Sequence, residues 1–155
     1  MTIDHITSEL EMPRTTAYSD TGTLVELGVL ARDDDQKTHS YSAIPITLTA
    51  TLDGDEYTVT PTLIDAFGRS PHDQDLDLLI EKYRLGKLAT AHTYAIPYTN
   101  GNMSERVAAR ELDLQHAFGV AVLQALRDVV RDMESVDPYF EDIQDAREQS
   151  PATED

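Results

Sequence analysis

The chain has 155 residues, which is the usual size of one domain and is enough to bury a hydrophobic core. It contains no cysteine, so disulfides, thiolate catalysis and cysteine-based metal sites are excluded. No apolar run is long enough to cross a bilayer, and the acidic start, Met1–His5, lacks the pattern of a signal peptide. We therefore expect a protein that has no membrane partner.

The charge balance is strongly acidic, with 29 Asp and Glu against 12 Lys and Arg and a formal net charge of −17. Asp outnumbers Glu 18 to 11, and only three Lys accompany nine Arg. Such a surface repels itself in dilute buffer, but at molar salt the Debye length falls to about 3 Å and the repulsion is screened. The composition resembles that of cytoplasmic proteins from salt-accumulating haloarchaea, in which solvent cations lie diffusely at the acidic surface.

Mimicry of DNA and intrinsic disorder would also account for an acidic chain, but the sequence disfavours both. A mimic of DNA would concentrate its carboxylates on one surface, whereas these are spread from Asp4 to Asp155. A disordered acidic chain conflicts with a hydrophobic content of 40%. The chain also lacks a basic stripe, so we do not expect nucleic acid as a partner.

The N-terminal part is predicted to be the least ordered. Residues 1–22 are interpreted as an arm with one short amphipathic turn that ends at Pro13. A strand is predicted over residues 23–31 and a solvated loop over residues 32–38, at the start of a single α+β domain that spans residues 23–136.

The clearest element is a β-hairpin from Ser42 to Asp65. Apolar residues alternate with threonines on both sides of Asp53-Gly54, which is a strong signal for a tight turn. A two-residue turn pairs Leu48 with Val59, but a four-residue loop also keeps the two faces matched. The pattern therefore leaves the register open.

The C-terminal half is predicted to hold two helices and a strand. A short helix covers Asp75–Leu85 and stops at Gly86, after which residues 87–99 alternate as a strand. A long helix follows from about Met103 to Ser135, and residues 137–155 form an acidic tail with a short helix near Phe140. The predicted fold class is α+β, with an antiparallel sheet of about four strands, a short helix and a long C-terminal helix packed on one face.

Two candidate sites follow from this arrangement. A pocket between the sheet and the long helix would be lined by polar and aromatic side chains, namely His92, Tyr94, Tyr98 and His116. A surface for a partner would be formed by the second apolar stripe of the long helix, namely Leu112, Leu123, Leu126 and Val130.

Catalytic and metal-binding motifs are missing from the sequence, and no cofactor is expected. Asp113 and His116 stand at i, i+3, but a histidine satisfied by Asp113 or by a backbone carbonyl is the favoured interpretation. Asp73, Asp75 and Asp77 resemble the start of an EF-hand loop, whose later positions are not matched. They are interpreted as the acidic first turn of a helix.

We therefore favour a non-enzymatic structural or assembly subunit that binds itself or another protein. In size and lack of motifs the chain resembles neck, tail or capsid components of haloarchaeal tailed viruses. Its expected location is the cytoplasm of a salt-accumulating halophile or a virus particle assembled there. A small-molecule or regulatory binding domain is the alternative, and an enzyme without a local motif ranks third.

Overall fold

The computed structural model describes residues 1–35 and 37–140 and divides into two compact units, Met1–Ile46 and Thr47–Asp155, here called the N-terminal and C-terminal units. The α+β class is confirmed. The described residues hold two separate two-stranded antiparallel sheets, which corrects the predicted sheet of about four strands. The boundary between the units falls within the single domain that was predicted over residues 23–136.

The N-terminal unit begins with two helices, α1 (Ile3–Glu9) and α2 (Arg14–Glu26), joined by the four-residue turn 10–13. The hydroxyl of Thr2 caps α1 by accepting a hydrogen bond from the backbone N–H of His5 at 3.3 Å. The prediction of a weakly structured arm is therefore wrong. Its apolar residues are used in a small core whose buried members are Ile3, Ile6, Ala17 and Tyr41.

A β-hairpin completes this unit. Gly28, with φ of +77°, lies just beyond the end of α2, so the strand predicted from Thr23 begins only at Leu30. Strand β1 (Leu30–Asp33) pairs with β2 (Ser40–Ala43), and Thr2 adds a single antiparallel bridge to Ser40. The loop predicted over residues 32–38 therefore begins later, because residues 32 and 33 belong to β1.

The predicted hairpin around Asp53-Gly54 is confirmed in the C-terminal unit. Strand β3 (Leu48–Leu52) pairs with β4 (Asp55–Val59) in the two-residue-turn register, with Leu48 opposite Val59. Asp53 and Gly54 have φ of 54° and 92°, so both central residues of the turn have the positive φ that a tight hairpin turn requires. The hairpin ends earlier than predicted, because Pro61 starts helix α3 (Pro61–Arg69).

Helix α4 (Gln74–Thr99) contains the predicted short helix Asp75–Leu85 as its first part. The helix is interrupted at Arg84 (φ 72°, ψ 175°), two residues before the predicted stop at Gly86, and then continues, so the predicted strand over residues 87–99 is wrong. The buried residues after the break have helical spacing, namely Leu88, Ala89, Ala91, His92, Ala95 and Ile96. Alanines fill much of this face, which hid the helical period behind an apparent alternation.

The predicted long helix is two helices, α5 (Glu105–Glu111) and α6 (His116–Met133), separated by a turn in which Asp113 has φ of 52°. The Ser104 hydroxyl caps α5 by accepting a hydrogen bond from the backbone N–H of Val107 at 3.3 Å. Helices α4, α5 and α6 supply most of the larger core, to which Phe140 also belongs. The first residues of the predicted acidic tail are therefore packed; residues 141–155, with most of the helix predicted near Phe140, lie outside the described residues.

Candidate functional site

The four residues of the predicted pocket occupy different environments. His92 is only 2% exposed within the helical core, Tyr94 and Tyr98 are half-buried, and His116 is exposed at the start of α6. The Nε2 atom of His92 is buried and has no hydrogen-bond partner among the described residues. Burial lowers the pKa of His92 to about 4, against a weaker opposing effect of the Asp137 charge. His92 is thus a neutral core histidine.

Tyr98 connects α4 to its neighbours. Its hydroxyl donates to Glu105 at 3.0 Å, and the Arg127 guanidinium lies 5.9 Å from the centre of its ring. Burial and the bond to Glu105 raise the pKa of Tyr98 above its ordinary value. These contacts hold the start of α5 and the middle of α6 against α4, which is a structural role.

The predicted partner surface on the long helix lies inside the protein. Its four residues are at most 2% exposed and belong to the core of the C-terminal unit, namely Leu112, Leu123, Leu126 and Val130. The expectation of an uncovered apolar stripe assumed that one sheet covered this helix. Because residues 85–99 form a helix that packs on α6, these four residues are covered within the C-terminal unit and the prediction of an exposed surface here is corrected.

The pair considered for catalysis is not placed on one helix face. Asp113 lies in the turn before α6 and His116 is the first residue of that helix, and both are exposed. Asp75 and Asp77 lie in the first turn of α4, as predicted for the acidic segment, and Asp73 precedes them as the N-cap, whose Oδ1 accepts from the backbone N–H groups of Asp75 and Leu76. Within residues 1–35 and 37–140, no group of three or more metal-ligating side chains is found.

The N-terminal unit presents a surface that sequence reasoning missed. Helices α1 and α2 are consecutive and are joined by a four-residue turn, which is the length of connection that a helix-turn-helix uses, and the β1–β2 hairpin follows directly. On α2, Ala17 and Thr21 face the unit's interior, and the Thr21 hydroxyl is satisfied by the Ala17 carbonyl at 2.7 Å. The opposite face of α2 is exposed.

That exposed face, here called the hydroxyl face, carries Thr15, Thr16, Ser19, Gly22 and Thr23, together with the exposed carboxylate of Glu26 at the end of the helix. At 100° per residue, Thr15, Ser19 and Glu26 lie opposite Ala17 and Thr21. Short side chains allow a close approach of another molecule, and hydroxyls both donate and accept hydrogen bonds. The available sequence signal was the i, i+4 spacing of Ala17, Thr21 and Val25 after Pro13, which fits a helix and not an arm.

Cations of the N-terminal unit are few and mostly paired. Residues 1–46 hold eight Asp and Glu against three Lys and Arg, a net charge of −5. Arg14 forms an ion pair with Asp4, and Arg32 Nε lies 2.8 Å from Asp34 Oδ1. Recognition through this unit would therefore depend on hydrogen bonding more than on attraction between opposite charges.

A model of a family of unknown function (DUF7437) matches residues 70–135, which is less than half of the chain and lies entirely in the C-terminal unit. No curated protein and no solved structure matches the chain. Among the described residues, no helix is long and apolar enough to cross a membrane.

Proposed function

We propose that the protein binds double-stranded DNA through its N-terminal unit. The observation that carries the proposal is the helix-turn-helix whose second helix, α2, exposes the hydroxyl face. In helix-turn-helix proteins the second helix lies in the major groove, and its N-terminal residues contact the edges of the bases. The likeness is an analogy of fold, and the hydroxyl face is what makes it chemically specific.

The acidic charge had argued against nucleic acid, because the chain has no basic stripe. That argument concerns attraction to phosphates, which contributes little at the molar salt for which the composition is suited. Hydrogen bonds from Ser and Thr hydroxyls to base edges do not depend on net charge, and these hydroxyls can pair with donors or acceptors in the major groove. An acidic helix-turn-helix would then bind by direct base contacts with few phosphate contacts.

The test is selection of duplexes from a random pool in molar KCl, followed by fluorescence anisotropy on the selected site. Ser19→Glu places a charge at the centre of the hydroxyl face and should weaken binding about ten-fold or more, because one good base contact contributes roughly 1–3 kcal/mol. Thr49→Glu adds the same charge at an exposed position of β3 in the C-terminal unit and should bind as the parent does. Equal loss in both variants, or no enriched site, would refute the proposal.

The assembly role predicted from the sequence is our second proposal. It is supported by large apolar side chains exposed on the N-terminal unit, since Leu27 is 69% and Leu10 is 63% exposed. Self-association would also suit a helix-turn-helix protein, because such proteins commonly bind two half-sites as dimers. Mass in solution at molar KCl tests it: a multimer that Leu27→Gln dissociates is expected, and a strict monomer at high protein concentration would count against it.

A further inference from the structure

A groove runs along the C-terminal unit between the β3–β4 hairpin, helix α3 and the break in α4. It consists of two adjoining cavities, which share Leu52, Phe67 and Leu85 in their walls. The inner cavity, of about 180 Å³, is lined only by apolar residues. The outer cavity, of about 430 Å³, adds polar groups that include Asp53 and Arg84.

The walls of this groove are more exposed than apolar side chains usually are in a finished core. Phe67 is 51% and Ile64 is 45% exposed, and both lie on α3 facing the inner cavity. An apolar cavity of about 150 Å³ is large enough to stay dry and bind benzene. The inner cavity therefore has room for one aromatic ring or a short alkyl chain, and the groove as a whole is within the range of small-molecule sites.

The polar end of the groove holds an unpaired cation. Within residues 1–35 and 37–140, the Arg84 guanidinium has no ion pair or hydrogen bond, although the chain carries a net charge of −17. The Asp53 carboxylate lies in the same wall and keeps its charge; its Oδ2 accepts from the Gly86 backbone N–H at 2.8 Å. Arg84 also has a backbone conformation (φ 72°, ψ 175°) that is essentially confined to glycine, so another residue type would fit this position better.

We propose that this groove binds a small amphipathic carboxylate. The apolar part of the ligand fills the inner cavity against Leu63, Ile64 and Phe67, and its carboxylate accepts hydrogen bonds from the Arg84 guanidinium in the outer cavity. A guanidinium offers two parallel donors that match the two oxygens of a carboxylate. The positive charge at one end and the apolar wall at the other select against both neutral hydrocarbons and small inorganic anions.

Calorimetric titration of the full chain with 4-phenylbutyrate, and with the neutral 4-phenylbutan-1-ol, tests the proposal. We expect the carboxylate to bind saturably with a Kd of about 1 mM or tighter. Arg84→Gln should weaken the carboxylate about ten-fold or more and leave the alcohol unchanged, because only the acid uses the guanidinium. Arg131→Gln, which removes an exposed arginine of α6, is the matched control and should change neither ligand.

Three results would overturn the proposal. The first is the absence of saturable binding of 4-phenylbutyrate or octanoate up to about 10 mM. The second is an equal loss of both ligands in Arg84→Gln, which would mean that the arginine does not distinguish an acid from an alcohol. The third is a dimer that Phe67→Asp converts to monomer while Leu27→Gln does not, because a second copy would then cover the groove.

Discussion

Replacing Arg84 with glycine should stabilise the protein, although glycine inside a helix ordinarily destabilises it. The backbone of Arg84 lies in a region that costs a non-glycine residue about 1–3 kcal/mol, and glycine removes that cost. Glycine also gives the unfolded chain more freedom, which offsets about 0.5–1 kcal/mol. The side chain makes no hydrogen bond or ion pair with the described residues, so little else is lost.

The expected net gain is therefore about 1 kcal/mol, within a span of about 0 to 2.5 kcal/mol, in the free energy of unfolding, or a few degrees in Tm for a chain of this size. Urea unfolding followed by circular dichroism in molar KCl would measure it. Arg84→Ala is the control: it removes the same side chain but keeps the β-carbon, so we expect it to lie within about 0.5 kcal/mol of the parent.

The comparison between the two variants is decisive because we expect the glycine variant to be more stable than the alanine variant, which is the reverse of the usual order. In a regular exposed helix position, alanine is more stable than glycine by about 1 kcal/mol. If Arg84→Ala is as stable as Arg84→Gly or more so, Arg84 is not in the glycine-only region, and its backbone stores no strain that glycine can relieve.

Three further outcomes follow from single contacts. The pKa of His92 is about 4 in the folded protein and 6.5 for a histidine in water, so the unfolded state binds more protons between those pH values. The free energy of unfolding should therefore fall by about 3 kcal/mol as pH is lowered from about 6.5 to 4. Unfolding of His92→Leu should lack this pH dependence, and a profile identical to that of the parent would contradict the reasoning. Asp137→Ala should lower the free energy of unfolding, measured in urea, by about 2–3 kcal/mol, because the buried Thr62 N–H and hydroxyl donate to Asp137 at 3.0 and 2.6 Å. The control Asp132→Ala loses an exposed ion pair with Arg69 and should lower it by less than about 1 kcal/mol. Residues 1–46 hold three Lys and Arg, so a plot of the logarithm of the DNA-binding constant against the logarithm of salt concentration should have a slope no steeper than about −2.7 for each bound protein chain. A steeper slope would show that phosphate contacts dominate the binding.

The presence of the hairpin was predictable because the local signals agreed, although the pattern left its register open. Asp53-Gly54 supplies the two positive φ angles of the turn, and the threonine alternation on both strands keeps one face apolar. The caps by Asp73 and Ser104 were likewise predictable, since each depends only on a few adjacent residues. Features that are determined within about ten residues of sequence were therefore found.

The errors came where packing decides the structure. Residues 87–99 alternate in polarity, yet they form a helix because Ala89, Ala91 and Ala95 let α4 pack closely on its neighbours. Small residues carry little hydrophobic signal, so a pattern method assigns them to neither face. The same cause hid α2, whose buried face is Ala17 and Thr21, and with it the hydroxyl face.

The candidate groove could not be predicted because its parts are far apart in sequence. Asp53 in the hairpin turn accepts from Gly86 in α4, and an added β-carbon at Gly86 would lie only 2.8 Å from that same Asp53 oxygen. A β-carbon at this position would displace the Asp53 carboxylate from its hydrogen bond, so glycine is favoured there by the hairpin and not as the helix stop that its position suggested. The backbone N–H of Gly86, just after the break, donates to the Asp53 carboxylate; in a continuous helix it would donate to a carbonyl of the preceding turn.

The hairpin turn and the break in α4 are joined by the hydrogen bond from Gly86 to Asp53. The hairpin docks its turn where α4 is interrupted, and the interruption turns the backbone at Arg84 to φ of 72°. Helix α3 and the hairpin then leave an apolar space beside Arg84, whose backbone is strained. A single change to glycine could relieve this strain, so we expect the strain to be retained where the side chain has a function. Arg84 is the positively charged group in the wall of this groove, where it would bind the carboxylate of the ligand.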